Sequence, residues 1–124
     1  MTLSPTQPET AYMNAREVGF TKKLQETACE NPAYAYHFAR DIKGADIIYC
    51  QEAACKIPAW AYSFAHSVRG ANIKYCQEHA CKDPAYAFHF ARNISTADIE
   101  YCKQHMTKDL YSVYMRIVMN QILK

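Results

Sequence analysis

The chain has 124 residues, half of them hydrophobic, and its 14 basic and 12 acidic side chains give a formal charge of +2. That is about one domain, with enough apolar material for a core that needs no cross-links. The near-neutral balance gives no strong signal of a nucleic-acid or membrane partner. The charge is uneven, however: residues 1–62 carry 6 basic and 7 acidic groups, whereas residues 63–124 carry 8 and 5. No run approaches ~18 consecutive apolar residues, and the opening MTLSPTQPET lacks the basic and apolar regions of a signal peptide. The expectation is a soluble cytoplasmic chain without membrane contact, whose 6 cysteines are free thiols, metal ligands or small apolar core residues rather than disulfides.

In chain order the first element is a worn unit at residues 8–29, PETAYMNAREVGFTKKLQETAC. Ala11, Tyr12, Ala15, Arg16 and Val18 stand there in the places of Ala35, Tyr36, Ala39, Arg40 and Ile42 of the next unit. It is two residues shorter, so its connecting turn must differ. Three full copies of 26 residues come next: 30–55 (ENPAYAYHFARDIKGADIIYCQEAAC), 56–81 (KIPAWAYSFAHSVRGANIKYCQEHAC) and 82–107 (KDPAYAFHFARNISTADIEYCKQHMT). The first shares 15 of 26 residues with the second and 14 with the third, so the period is the main signal of the sequence. After residue 107 the pattern gives way to a closing helix over 108–124.

Each copy reads as two helices. Pro32, Pro58 and Pro84 suit the first helical position, where a missing N–H costs nothing, and Asn31 and Asp83 are good N-caps before them. Ile57 cannot cap, so the first helix of the second full copy should start less firmly. Ala35, Phe38, Ala39 and Ile42 fall at i, i+3, i+4 and i+7, as do Ala61, Phe64, Ala65, Val68 and Ala87, Phe90, Ala91, Ile94, which makes one apolar stripe per helix. Gly44 and Gly70 sit where a left-handed residue is wanted at the helix end, with Thr96 in the third copy. The second helix should run from about Ala45 to Cys55. Helices this short are marginal alone, and stacking is what covers their stripes. The predicted fold is all-α: a short right-handed α-solenoid of about four helix-turn-helix repeats plus a C-terminal capping helix, in one domain spanning 1–124.

The cysteines occupy two repeat positions, Cys50/Cys76/Cys102 and Cys29/Cys55/Cys81. The worn unit has Leu24 at the first, and Thr107 ends the series at the second, so both read as small apolar core sites. The rival is zinc, because Cys76-x-x-His79 and Cys102-x-x-His105 each place a thiol and an imidazole one turn apart. Against it, the first copy has Ala53 in place of the histidine. Catalysis needs unlike groups converging from several elements, and here the acids and bases merely recur along the repeat. The expectation is therefore no enzyme, no cofactor and no metal.

Positions that vary among copies are free to serve a partner. They include Arg40/His66/Arg92, Lys43/Arg69/Ser95, Ile48/Lys74/Glu100 and Ala53/His79/His105, all read as solvent-facing. Tyr36, Tyr62 and Phe88 run four residues ahead of Arg40, His66 and Arg92 on the same side, an aromatic and cationic ladder of the kind that forms interface hot spots. The predicted partner surface comprises Tyr36, Arg40, Lys43, Trp60, Tyr62, His66, Arg69, Lys74, Phe88 and Arg92. A protein partner is favoured over single-stranded nucleic acid, since Asp41, Asp46, Glu52, Asp98 and Glu100 interrupt any basic groove.

The phrases PAYAYHFARDIKGADIIYCQEAAC and DPAYAFHFARNISTADIEYC resemble the short tandem helical repeats, of DPxYAYxFA and GADIxxCQ type, that occur in phage and bacterial proteins. The likeness is close over 30–107 and loose over 8–29, and the group carries no assigned activity. It implies a helical array of phage or prophage source. By analogy with other small phage proteins, it also implies occlusion of a host machine, such as a bacterial immunity complex, in the host cytoplasm.

Overall fold

A computed structural model describes residues 6–123. Residues 1–5, which belong to the stretch read as lacking a signal peptide, and residue 124 of the closing helix lie outside the described residues. Nine helices and no strand occur among those described: α1 (Pro8–Val18), α2 (Lys22–Ala28), α3 (Pro32–Asp41), α4 (Ile47–Ala54), α5 (Pro58–Ser67), α6 (Ile73–Ala80), α7 (Pro84–Asn93), α8 (Ile99–Gln104) and α9 (Lys108–Ile122). The odd-numbered helices pack on one another in sequence, α1 on α3 on α5 on α7 on α9, forming one layer. Each of α2, α4, α6 and α8 packs on its own partner and, for α2, α4 and α6, also on the first helix of the next repeat. The chain is thus a short α-solenoid of helical hairpins closed by one longer helix.

Local chemistry sets the helix starts. Asn31 Oδ1 accepts the backbone N–H of Ala33 at 2.8 Å, and Asp83 Oδ1 that of Ala85 at 3.0 Å. The second helices start on Asp46, Asn72 and Asp98, which accept from Tyr49, Tyr75 and Tyr101. Ile57 makes no capping bond and is 44% exposed, so the weak start expected of α5 is found. Ile57→Asp should therefore supply a missing cap without emptying the core. A stabilisation of about 1 kcal/mol is expected, read as a rise of a few degrees in the thermal midpoint.

The first helices are shorter than their apolar stripe. Ile42, Val68 and Ile94 are buried as expected, yet they stand one residue past the helix in extended conformation (φ −99, −100 and −101°). Each then begins a turn closed by the N–H of Ala45, Ala71 or Ala97 on its carbonyl. Gly44 (φ +95°) and Gly70 (φ +89°) occupy the third position of that turn, where a left-handed residue is required, so their role lies in the loop and not at the helix cap. Among the described residues no non-glycine has positive φ, so the Ile94–Ala97 turn, with Thr96 in that place, closes by a different path. The second helices begin at Ile47, Ile73 and Ile99, two residues later than the pattern suggested.

The worn unit departs in one respect. Val18 does not take Ile42's place: α1 runs one residue longer than α3, and this leaves Val18 helical and 71% exposed. Phe20, two residues on, lies edge-on to Phe38 with ring centroids 6.3 Å apart and is 39% exposed.

The core is a column of small residues and phenylalanines. Phe38, Phe64 and Phe90 are fully buried, flanked by Ala35, Ala61 and Ala87 at 0% exposure, which lets neighbouring backbones approach closely.

Candidate functional site

Two features run the length of the array. The first is a row of rings on the layer of odd-numbered helices. Tyr12 leans on Tyr34 and His37 of the next repeat (6.0 and 5.7 Å), Tyr36 on Trp60 (5.4 Å), Tyr62 on Tyr86 and His89 (6.0 Å each), and Phe88 on Tyr114 of α9 (6.4 Å). The same rule repeats four times: an aromatic at the Tyr36 position rests on the ring that comes after it in the array.

This geometry corrects the predicted ladder. Tyr36 and Phe88 are not solvent-facing but 7% exposed, because their rings fill the seams between repeats. The rings that reach the surface are the half-buried Tyr34, Trp60 and Tyr86, together with Tyr62 and the half-buried His37 and His89. Arg40 does sit over Tyr36, its guanidinium 5.1 Å from the ring centroid and its Nη1 donating to the phenol oxygen at 3.2 Å. Its charge is already paired, however, through Nε with Asp41 at 2.8 Å, and the Tyr12 hydroxyl donates to the same carboxylate. These hydrogen bonds raise the Arg40 pKa further and lower that of Asp41. In the third full copy Asn93 replaces Asp41, and its side-chain amide donates to the Tyr62 hydroxyl at 2.9 Å. Arg92 is therefore exposed and makes no ion pair among the described residues. His66 turns to Ser67 (3.0 Å) with its ring 5.8 Å from Tyr62. The remaining predicted cations lie elsewhere: Lys43 and Arg69 are exposed in the loops after α3 and α5, and Lys74 lines a groove between α6 and α8 with Glu78, Asp98 and Tyr101. The ten predicted residues do not share one surface.

His37 packs among Tyr12, Tyr34, Tyr36 and Trp60, and burial, then the Arg40 charge, holds its pKa below the ordinary imidazole value, with Asp41 opposing. His79 is lowered as well, by burial and then by Lys82. A lowered histidine leaves stability untouched above the unfolded value of about 6.5 and erodes it as pH falls through that value, because the unfolded chain takes up the proton first. The thermal midpoint should therefore be lower at pH 5 than at pH 7.5, and His37→Gln should flatten the difference. The Asp41 contribution is lost only further down, below about pH 4.

The second feature is a buried polar relay at each seam of the second-helix layer. Cys29 Sγ lies 3.5 Å from Cys50 Sγ, whose thiol faces Gln25 Oε1 at 3.8 Å. The same arrangement links Cys55, Cys76 and Gln51 (3.8 and 3.6 Å) and then Cys81, Cys102 and Gln77 (3.8 and 3.6 Å). The same glutamine oxygens accept the backbone N–H of Asp46, Asn72 and Asp98, each at 2.7 Å. Hydrogen bonding within each pair, then burial, raises Cys50, Cys55 and Cys102 above the ordinary thiol range, while the bond from Cys102 lowers Cys81 against the effect of its burial. The cysteines are buried as expected, but they are paired between repeats, a relation invisible within any single helix. The glutamines are absent from the residues the sequence singled out. Their signal was present, since Gln25 persists in the worn unit where most else has changed.

The zinc set is not assembled. Cys76 and Cys102 turn their sulfurs into the seams, at Cys55 and Cys81. His79 stacks on Tyr75 at 4.6 Å, while His105 stacks on Tyr101 at 4.5 Å, with Nδ1 2.8 Å from the Tyr101 carbonyl. No group of three or more His, Cys, Asp or Glu side chains suited to a metal occurs among the described residues. The position shared by Ala53, His79 and His105 is also less open than predicted: Ala53 is buried, His79 half-buried and only His105 exposed. At the Tyr49 position the copies differ: Tyr49 is 42% exposed, whereas Tyr75 and Tyr101 are half-buried against the core.

The class defined by this architecture is the short helical-repeat solenoid. No family model, curated protein or solved structure matches the chain. Among the described residues no helix is long and apolar enough to cross a membrane.

Proposed function

We propose that the chain is a non-enzymatic protein-binding module that contacts its partner through the layer of odd-numbered helices, around Trp60. The observation that supports this is the row of rings locked repeat to repeat, with Trp60 half-exposed between Tyr36 and His37. A ring already fixed by its neighbours loses little freedom on binding, and aromatic and arginine side chains dominate the energetics of protein interfaces. Arg92 adds an exposed cation that no carboxylate among the described residues neutralises. The histidines and carboxylates recur at repeat spacing instead of converging, and this favours binding over chemistry. The sequence resemblance adds a partner class, a host machine such as a bacterial immunity complex whose surface the array would occlude.

Nucleic acid is the second reading, favoured by the stacked rings and weakened by the pairing of Arg40 with Asp41. The test compares the native chain with Trp60→Ala and Arg92→Ala. Stoichiometric capture of a bacterial protein complex, weakened at least ~10-fold by Trp60→Ala at unchanged helix content, is the expected result. A shift of single-stranded RNA or DNA at ~50 mM salt that Trp60→Ala abolishes would replace protein with nucleic acid. No partner in either arm would sink the proposal.

A further inference from the structure

The three cysteine pairs share one geometry but are not equally reachable. At the first seam the second-helix surface has a pocket of about 230 Å³ lined by Cys29, Tyr49, Glu52, Ala53 and Lys56. Cys29, at its floor, is 8% exposed, whereas Cys55 and Cys81 are 2% and 1% exposed. The seams also differ in the residue at Ala53's place. In the next copy His79 lies over Tyr75 with Nδ1 3.2 Å from Lys82 Nζ, and in the third His105 lies over Tyr101. An imidazole stands at those two seams where the first has only a methyl group.

We infer that Cys29 and Cys50 form a thiol–disulfide exchange site, open to low-molecular-weight disulfides through the pocket beside Ala53, while Cys55–Cys76 and Cys81–Cys102 remain shielded dithiols. The Cys29 thiolate attacks one sulfur of the small disulfide RSSR, forming a Cys29–S–S–R mixed disulfide and releasing RS⁻, which takes up the proton that Cys29 gave up. Cys50, 3.5 Å away, then loses its own proton and attacks the Cys29 sulfur. The second RS⁻ leaves and is protonated, so two protein thiols are oxidised to one disulfide and RSSR is reduced to two RSH. The two sulfurs already lie 3.5 Å apart in the second-helix layer of adjacent repeats, so a bond between them staples the first repeat to the second. The bridge spans residues 29 to 50 and constrains the unfolded chain, so the oxidised protein melts higher.

The experiment incubates the reduced native chain with oxidised glutathione at pH 8, quenches by alkylation, and reads mass and disulfide peptides. The expected product is about 2 Da lighter, with one bridge mapped to Cys29–Cys50. Cys50→Ser should stop at glutathionylated Cys29. Ala53→His should slow the reaction ~10-fold by covering the sulfur, and His79→Ala should open Cys55–Cys76 to the same reagent. Circular dichroism confirms that each variant is folded, and the pair of opposite substitutions keeps the test independent of either one alone. Oxidation of all three pairs at one rate would overturn the assignment, as would no oxidation of the folded chain when the urea-unfolded chain reacts. An Ala53→His rate equal to the native one would overturn it too.

Discussion

Phe64→Ala should lower the stability of the whole array by about 3–5 kcal/mol, the largest effect expected of any single core substitution. Phe64 is fully buried at the centre of the phenylalanine column, with Phe38 and Phe90 at the equivalent places on either side. The core cluster to which it belongs is rich in alanine. Ala35, Ala61 and Ala87 have no side-chain freedom with which to refill the space, so the cavity should persist, and a persistent cavity is what drives such losses to the upper end of their range. Small domains are stable by only about 5–15 kcal/mol in total, so the change removes a large fraction. The midpoint of thermal unfolding should fall by roughly 10–20 °C. Phe64→Leu keeps most of the volume and should fall less than half as far. Equal losses for the two variants would show that the site collapses freely and that the column is not closely packed.

The features legible in the sequence were those that the repeat itself displays. Pro32, Pro58 and Pro84 marked three helix starts, the Ala-Phe-Ala stripes marked the buried faces, and Ile57 betrayed the one uncapped start among them, because each is a property of a residue and its near neighbours in the chain. The illegible features depend on the seam between repeats. Tyr36 and Phe88 looked like surface rings by helical phase, yet each is covered by a ring one repeat further on. Val18 looked like a copy of Ile42, yet α1 runs one residue longer than α3 and leaves it helical and exposed. The cysteine pairs join residues 21 apart, across two different copies, so either copy alone shows only isolated thiols. Of the candidate residues, Trp60 is half-buried and Arg92 exposed, Tyr36 and Phe88 turn inward, and Lys43, Arg69 and Lys74 lie in loops or in the groove between α6 and α8.

Gln51→Leu should cost about 1–3 kcal/mol, although it exchanges a polar side chain for an apolar one in the interior, a change that composition alone would score as favourable. Gln51 is 2% exposed, and its Oε1 accepts the N–H of Asn72 at 2.7 Å and the thiol of Cys76 at 3.6 Å. Leucine fills similar space but accepts nothing, so the Asn72 N–H is left without its partner in a partly buried setting, and the penalty is the desolvation of that donor. The loss is also local in a measurable way. The Asn72 amide should lose protection from hydrogen exchange in Gln51→Leu, while the equivalent amides of Asp46 and Asp98, held by Gln25 and Gln77, keep theirs. Unchanged protection at Asn72 would mean that the glutamine merely fills volume. The sequence carries its own control for this role. Lys103 stands where a fourth glutamine would fall, and there α9 departs from the repeat, running as one helix from Lys108 to Ile122. Among the described residues each of the three glutamines holds the N–H that opens the second helix of the following repeat, as expected if its task is to tie each repeat to its successor.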